Sequence, residues 1–250
     1  DEKVKKKIDN ALGSNYLTQV STWPDFIKSE PNWRFTNVWH YTTVDPNQTA
    51  VQVKKKNAEN DTIDDVMEAI DFMVSILKGD QKSYQKFTKL MKENEVEPLS
   101  GSVEATALAF LIHFIGDIHQ PLHVGKCCDR GGNSVKVVFF GESSNLHSIW
   151  DSGLIDKEQL SFTEFADFVS KHHSDHKANW SKEIQVTDWA KESAEYRDSI
   201  YQNLETAPKD RATGLPNLSY QYQHDHIGTV EKRLAMAGYR AAALLNDIYK

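Results

Sequence analysis

Cysteine is scarce in this 250-residue chain: Cys127 and Cys128 are the whole supply, and they are neighbours. Adjacent cysteines do not readily pair in ordinary disulfide geometry, so the sequence predicts no cross-linked framework and leaves the redox compartment open. Positive charge is also in deficit, with 29 Lys and Arg against 36 Asp and Glu and a net charge of −7. That balance excludes a general basic surface for gripping duplex backbone, so any nucleic-acid contact must be local and assisted by metal. No apolar run reaches membrane-spanning length, and Asp1-Glu2-Lys3 is charged where a signal segment would be apolar; the chain reads as soluble. Glycine and proline are not gathered into a linker, and there is no repeat or low-complexity tract, so a single domain over residues 1–250 is expected. Asn-x-Ser/Thr matches at Asn47, Asn60, Asn179 and Asn217 are no more than chance supplies.

What is present is helical periodicity. Ile63, Val66, Met67, Ile70, Met73, Val74 and Leu77 recur at three and four residues between Asp61 and Gly79, predicting an amphipathic helix. Similar stripes occur at Val4, Ile8 and Leu12, at Tyr84, Phe87, Leu90 and Met91, at Phe162, Phe165 and Val169, and at Trp189, Tyr196, Ile200 and Leu204. A last helix runs from Ile227 to Ile248. The segment from Val103 to Ile118 is apolar on nearly every side and is expected at the centre of the bundle. The one strand-like stretch, Ser134 to Phe140 after Gly131-Gly132, reads as half of a small β-hairpin. The fold class is therefore all-α with a small β-hairpin.

Two polar residues interrupt the central apolar helix. His113 and Asp117 are four apart and project from one face, a spacing that lets both reach one ion. A buried His with a carboxylate partner would satisfy the pair equally well. The surroundings favour a metal: Pro121 ends the helix and returns His123 to the neighbourhood, and His147 with Asp151 repeats the His-x-x-x-Asp spacing. Five such ligands exceed the need of one tetrahedral zinc, so at least two ions are expected. Two ions spaced about 3.5–4 Å apart can activate water and stabilise the leaving oxygen of an in-line displacement at phosphorus, which is phosphoester hydrolysis. His172, His173 and His176 with Asp175 end an amphipathic helix and read as a solvated surface cluster. His224 and His226 read as solvent-facing or as outer supports of the site. Cys127 and Cys128 fall close enough to the ligands that thiolate ligation is conceivable.

Five segments in this order resemble the zinc-dependent single-strand nucleases and 3′-nucleotidases of the S1/P1 type, which share an all-helical fold with bacterial zinc phospholipase C. They are Ser21-Thr22-Trp23-Pro24-Asp25, Trp39-His40-Tyr41, His113 through His123, Asp129-Arg130-Gly131-Gly132-Asn133, and Asn145 through Asp151. The resemblance covers essentially the whole chain, including a closing helix from Ala237-Gly238-Tyr239-Arg240 to Asn246. It implies one zinc held by Asp25, His40, His113 and Asp117, and a second held by His123, His147 and Asp151, with Asp117 facing a third. Asp25 and His40 rest chiefly on the resemblance, since such residues otherwise read as a helix cap and a packed imidazole. The resemblance further implies Tyr41 as a stacking platform for a nucleobase and Asn133 as a substrate contact. Lys28, one turn beyond Asp25, is positioned to meet a phosphate. Tyr41 as a core aromatic and Gly-Gly-Asn as a plain turn remain open.

The chain departs from the family at two points. Members begin with a Trp whose amino group and carbonyl bind the third zinc, followed by a ligand His; here the chain starts Asp1-Glu2-Lys3-Val4 and its first His is His40. We read the missing ligands as preceding residue 1, the alternative being a lost site and impaired catalysis. Thr43 stands where many members carry an Asp near the bound base. The expected activity is hydrolysis of single-stranded DNA, RNA and 3′-mononucleotides to 5′-phosphate products, with phospholipase C or a catalytically impaired zinc- or nucleotide-binding protein as alternatives. The resemblance implies a secreted or periplasmic location and no stable protein partner.

Overall fold

The computed structural model describes residues 1–13, 15–58 and 62–250. Among these, eight α-helices of eight or more residues dominate: α1 (Glu2–Leu12), α2 (Ala50–Asn57), α3 (Val66–Leu77), α4 (Gln81–Glu93), α5 (Val103–His119), α6 (Phe162–His172), α7 (Val186–Glu205) and α8 (Tyr220–Ile248). This is the mainly helical class expected. Apart from Ile63, the residues of each stripe picked out by periodicity lie on one of these helices, and none of the helices is long and apolar enough to cross a membrane.

Helix α5 is the axis of the core. Every residue from Ala105 to Leu111 is buried, as are Phe114, Ile115 and Ile118. Complete burial of a large apolar side chain contributes about 1.5–3 kcal/mol, so this one helix carries a large share of the packing. Around it Trp23, Trp39 and Phe87 meet Phe110 edge to face and Trp33 meets it tilted, at centroid distances of 5.5–6.3 Å. Ser102 caps α5 by accepting from the Ala105 amide. Its other end stops at His119 because Gln120, before Pro121, adopts an extended backbone. Helix α3 starts at Val66, later than its periodicity suggests, because Asp65 accepts from the Met67 and Glu68 amides at 2.9 and 3.0 Å. Asp61, where the sequence suggested the start, and Asn60 lie outside the described residues.

The expected hairpin is present, with β3 (Lys136–Phe139) antiparallel to β4 (Glu142–Asn145). Periodicity could not reveal the rest of the strand pairing. β5 (Asn217–Leu218) adds in parallel to β3, and β1 (Thr42–Thr43) pairs in parallel with β2 (Val124–Gly125). Two-residue strands are too short to show an alternation. Arg197, 2% exposed, holds the β1–β2 junction: one terminal nitrogen donates to the carbonyls of Val44, Val124 and Gly125 at 2.7–2.9 Å.

Two expectations are corrected. Cys127 and Cys128 are disulfide-bonded to each other, their Cα atoms 3.8 Å apart, so they are not free thiolates available to a metal. The ordinary-geometry argument failed because the backbone adapts at the pair, with Cys128 at φ +84°. His226 is not solvent-facing: it is 6% exposed and packs against Tyr222 and against Trp150, the neighbour of Asp151. His224 is exposed as expected.

Candidate metal centre

Three chain segments deliver the first group of donors. Helix α5 presents His113 and Asp117 one turn apart. The short helix Trp23–Phe26 presents Asp25, and the 3-10 helix Pro31–His40 ends at His40. Consecutive residues diverge at that end: Trp39 enters the aromatic core at 2% exposure, His40 is equally buried with its ring edge-on to Phe114, and Tyr41 turns outward at 49%. His40 Nδ1 lies 2.9 Å from Asp117 Oδ2, 3.1 Å from His113 Nε2 and 3.9 Å from Asp25 Oδ1. His113 Nε2 is 3.2 Å from Asp117 Oδ2 and 3.5 Å from Asp25 Oδ1. Two imidazole nitrogens and two carboxylates thus converge on one point.

The second group stands on the chain that follows. After Pro121 a 3-10 turn sets His123, and Gln120 caps it by accepting from the Leu122 amide. Asn145 at the end of β4 accepts from the Ser148 amide, starting the short helix that carries His147. The helix then widens into a π-turn over Ile149–Gly153, a form found frequently at functional sites, and this sets Asp151. His123 Nε2 lies 3.1 Å from Asp151 Oδ1, and His147 Nε2 lies 3.0 Å from Asp151 Oδ2. Asp117 joins the groups, its Oδ2 facing His40 and His113 while its Oδ1 lies 3.1 Å from His123 Nδ1. The β1–β2 pair explains why they are adjacent: Thr42 and Val124, the register partners, follow His40 and His123 closely in sequence.

The donor chemistry fits a metal ion. The Nδ1 atoms of three imidazoles face backbone carbonyls: His113 to Ser21 at 2.7 Å, His123 to His40 at 3.0 Å and His147 to Gly131 at 2.8 Å. An Nδ1–H donated to a carbonyl fixes the tautomer and leaves the Nε2 lone pair for a metal, the support that ligating histidines ordinarily have. His40 points Nδ1 inward instead, and its Nε2 is buried with no partner among the described residues. Asp25, His40 and His113 form one candidate metal group, and His123, His147 and Asp151 a second.

Electrostatics in the metal-free protein follow from the same proximity. Burial pushes His113 and His123 down, but the Asp117 carboxylate outweighs it, with help from Asp25 and Asp151 respectively, and each imidazole is raised to about 10. Burial would raise the carboxyls of Asp25, Asp117 and Asp151, yet their histidine neighbours, with Lys28 at Asp25, hold all three below the usual carboxylate range. The sign of the pH dependence follows. A histidine raised from 6.5 to about 10 contributes stability that is fully present below 6.5 and lost as pH climbs to about 10. Chelator-treated protein is therefore expected to lose stability between these limits. Metal-loaded protein should diverge upward over the same interval, because ligands must shed protons to bind. Denaturant midpoints of the two forms across that range check this, and parallel curves would contradict it.

Two clefts flank the donors and share Lys28, His123 and His147. One, about 450 Å³, is lined by Asp25, Asp117, Gln120, Asp151, Val230 and Leu234 among others. The other holds Tyr41, Thr43, Lys126, Arg130 and Asn133, with the Cys127–Cys128 pair in its wall. Lys28 donates to Asp25 at 2.6 Å, so the lysine proposed to meet a phosphate is itself tethered to a candidate ligand. Asn133 Nδ2 donates to the Arg130 carbonyl at 2.9 Å, and its side chain thereby braces the turn.

Several positioning groups were not legible in the sequence. Gln120 Nε2 donates to Asp151 Oδ1 at 2.5 Å. Gly131 carries the carbonyl that orients His147 and sits at φ +61°, where an added Cβ would lie 2.4 Å from the Leu122 carbonyl oxygen. Only the paired glycines hinted at it. Gly131→Ala should displace His147 and weaken metal retention in that group, while Gly141→Ala, also at positive φ but with open space around it, should leave metal content intact. Metal analysis after dialysis against a weak chelator tests the contrast.

Comparison with known proteins places the chain in a family. A family model described as S1/P1 Nuclease matches residues 1–250. The chain is 29% identical over 252 residues to Endonuclease 3 of Arabidopsis thaliana, covering 98% of this chain and 80% of that protein. It is 27% identical over 259 residues to Nuclease S1 of Aspergillus oryzae, at 96% and 82% coverage, and 24% identical over 253 residues to Nuclease P1 of Penicillium citrinum, at 94% and 86%.

Proposed function

The chain belongs to the S1/P1 nuclease family, and from that premise we propose that it is a zinc-dependent hydrolase of phosphodiester bonds in single-stranded DNA and RNA, and of 3′-mononucleotides, leaving 5′-phosphate products. The observation that carries this reading is the convergence of two donor groups through Asp117, between two clefts, with an exposed aromatic at the edge of one. Asp25, His40, His113 and Asp117 would hold one zinc and His123, His147 and Asp151 a second; imidazole nitrogen and carboxylate oxygen are donors of the kind catalytic zinc takes. When bound, the ions supply the Lewis acidity that lets water attack phosphorus at neutral pH and lets the 3′ oxygen depart as an anion.

The protein's own groups do the rest. Tyr41, half exposed, offers a face on which any base can stack, which suits a substrate whose bases are unpaired. Lys28, reaching both clefts, can donate to a non-bridging phosphate oxygen. Lys126 and Arg130 add local positive charge to a chain of net charge −7, confining backbone attraction to the cleft. The carbonyls of Ser21, His40 and Gly131 hold the imidazoles in one tautomer, so the donors are ordered before substrate arrives. An extracytoplasmic location fits the Cys127–Cys128 disulfide, since such bonds persist in oxidising compartments.

Release of acid-soluble nucleotide from single-stranded DNA, with duplex DNA and a phosphatidylcholine emulsion as parallel substrates, tests the reading. Zinc-dependent turnover confined to the single strand is expected; preferential turnover of the lipid would overturn it. Tyr41→Ala should raise KM for single strands by roughly tenfold, the loss of one stacking contact of about 1–3 kcal/mol, with kcat little changed.

A further inference from the structure

Helix α6 ends at His172, and His173 leaves the helical conformation at φ −108°, ψ 16°. The break lets two adjacent imidazoles converge, their centroids 5.0 Å apart and their planes at 80°. Facing them from α8, more than fifty residues later, is Glu231. Donor atoms of His172, His173 and Glu231 all lie within 4.8 Å of one another.

A solvated histidine cluster accounts for His172 and for the exposed Asp175 and His176. It does not account for Glu231, a largely buried residue whose carboxylate oxygens keep contact with solvent and show neither a hydrogen bond nor an ion pair among the described residues. Burial accordingly raises its carboxyl, with nearby Glu158 adding to the shift against the opposing pull of His172. Its oxygens are therefore free to ligate, and they stand beside two imidazoles where a cation would join the three groups. His173 supplies a second anomaly: its Nε2 is shut off from solvent with no partner among the described residues. Burial and the neighbouring His172, His176 and Lys232 lower this imidazole, keeping it neutral with a lone pair to offer.

We propose that His172, His173 and Glu231 form a separate binding site for a divalent transition metal of the zinc class. Two imidazole nitrogens and one carboxylate oxygen make a donor set zinc accepts, with water completing the shell. The C-terminus of α6 adds the partial negative charge of its unpaired carbonyls. None of the three residues lines either cleft. The ion clamps α6 to α8, on the stretch of α8 whose Val230 and Leu234 wall the cleft that also holds Asp117 and Asp151.

The test is metal content per chain of zinc-loaded protein, compared with Glu231→Gln and His172→Ala, the latter removing only an exposed ring. Each variant should hold one ion fewer than the parent while turning over single-stranded DNA at the parental rate. His147→Ala should instead retain this ion and lose turnover, so failure here and failure of the nuclease reading give different patterns. Thermal unfolding supplies a second measure: zinc should raise the midpoint of the parent more than that of Glu231→Gln. Equal metal content and equal zinc-induced shifts in parent and both variants would overturn the proposal.

Discussion

Asp117→Asn is expected to lower kcat for single-stranded DNA by roughly a thousandfold and to remove at least one metal ion, while leaving the fold intact. The effect is large because of where the two oxygens point. Oδ2 faces His40 and His113 at 2.9 and 3.2 Å, and Oδ1 lies 3.1 Å from His123 Nδ1, so one carboxylate completes the first donor group and braces a ligand of the second from behind. An amide of the same shape offers one neutral oxygen and a nitrogen that cannot ligate. Lewis-acid stabilisation of a phosphoryl transition state contributes several kcal/mol, and at about 1.4 kcal/mol per tenfold that is a thousandfold or more. The fold should survive because an isosteric amide can still accept from His40, and the ties that cap α5 through the Ile118 and His119 carbonyls do not involve Asp117. Metal analysis, single-turnover kinetics and circular dichroism on one preparation check the three parts together. Full metal content with undiminished turnover would remove Asp117 from the centre of the site.

Much of this site was legible because helical spacing is metric. Four residues on α5 are one turn, so His113 and Asp117 had to share a face, and the same spacing returned at His147 and Asp151. Burial gave the first pair weight, since every neighbour on α5 was apolar. Asp25 and His40 have no such local signature. Their place depends on a 3-10 helix packing its tryptophans against Phe110 and on two residues of β1 pairing with β2, and neither is written as a period. The carbonyls of Ser21, His40 and Gly131 are beyond any reading of side chains, since every residue has a carbonyl and only the folded path decides which one meets an imidazole. Glu231 was missed for a related reason: within α8 it is one charged residue among several, and only tertiary packing buries it opposite His173. The cysteines erred in the other direction, a rule about ordinary geometry being applied to a backbone free to adopt positive φ.

The largest expected loss of stability comes from a residue distant from the chemistry in sequence. Glu192 on α7 receives Arg240 in a bidentate pair at 2.7 Å and 2.7 Å, and Arg233 at 2.7 Å. Both arginines are buried, Arg240 completely, and Arg240 also pairs with Glu183. Arg233 in turn donates to the His119 carbonyl at 3.0 Å and to Ser193 at 2.6 Å, while Ser193 donates to the Ile118 carbonyl. These are the carbonyls that the C-terminal end of α5 leaves without helical partners, so the network caps the helix that carries His113 and Asp117. His119 completes it: its Nδ1 donates to the Ile115 carbonyl, and burial, with Arg233 and Arg240 beside it, keeps the ring neutral so that Nε2 can accept from Arg240.

Glu192→Ala leaves Arg233 with no carboxylate and Arg240 with one. Removing one partner of a buried ion pair costs about 3–5 kcal/mol, and since Glu192 keeps 28% side-chain exposure the lower end applies. At roughly 2–4 °C per kcal/mol for a chain of this size, the midpoint should fall by about 6–12 °C. Adding Arg240→Met to that variant should cost less than Arg240→Met alone, because the unpaired charge is then gone; strictly additive losses would show that the pair does not couple. A loosened end of α5 should also weaken metal retention by Asp117 and His123, which lie on either side of the capped carbonyls. Metal release from Glu192→Ala below its unfolding transition is therefore expected to outpace that of the parent, linking a polar network in the core to the occupancy of the site.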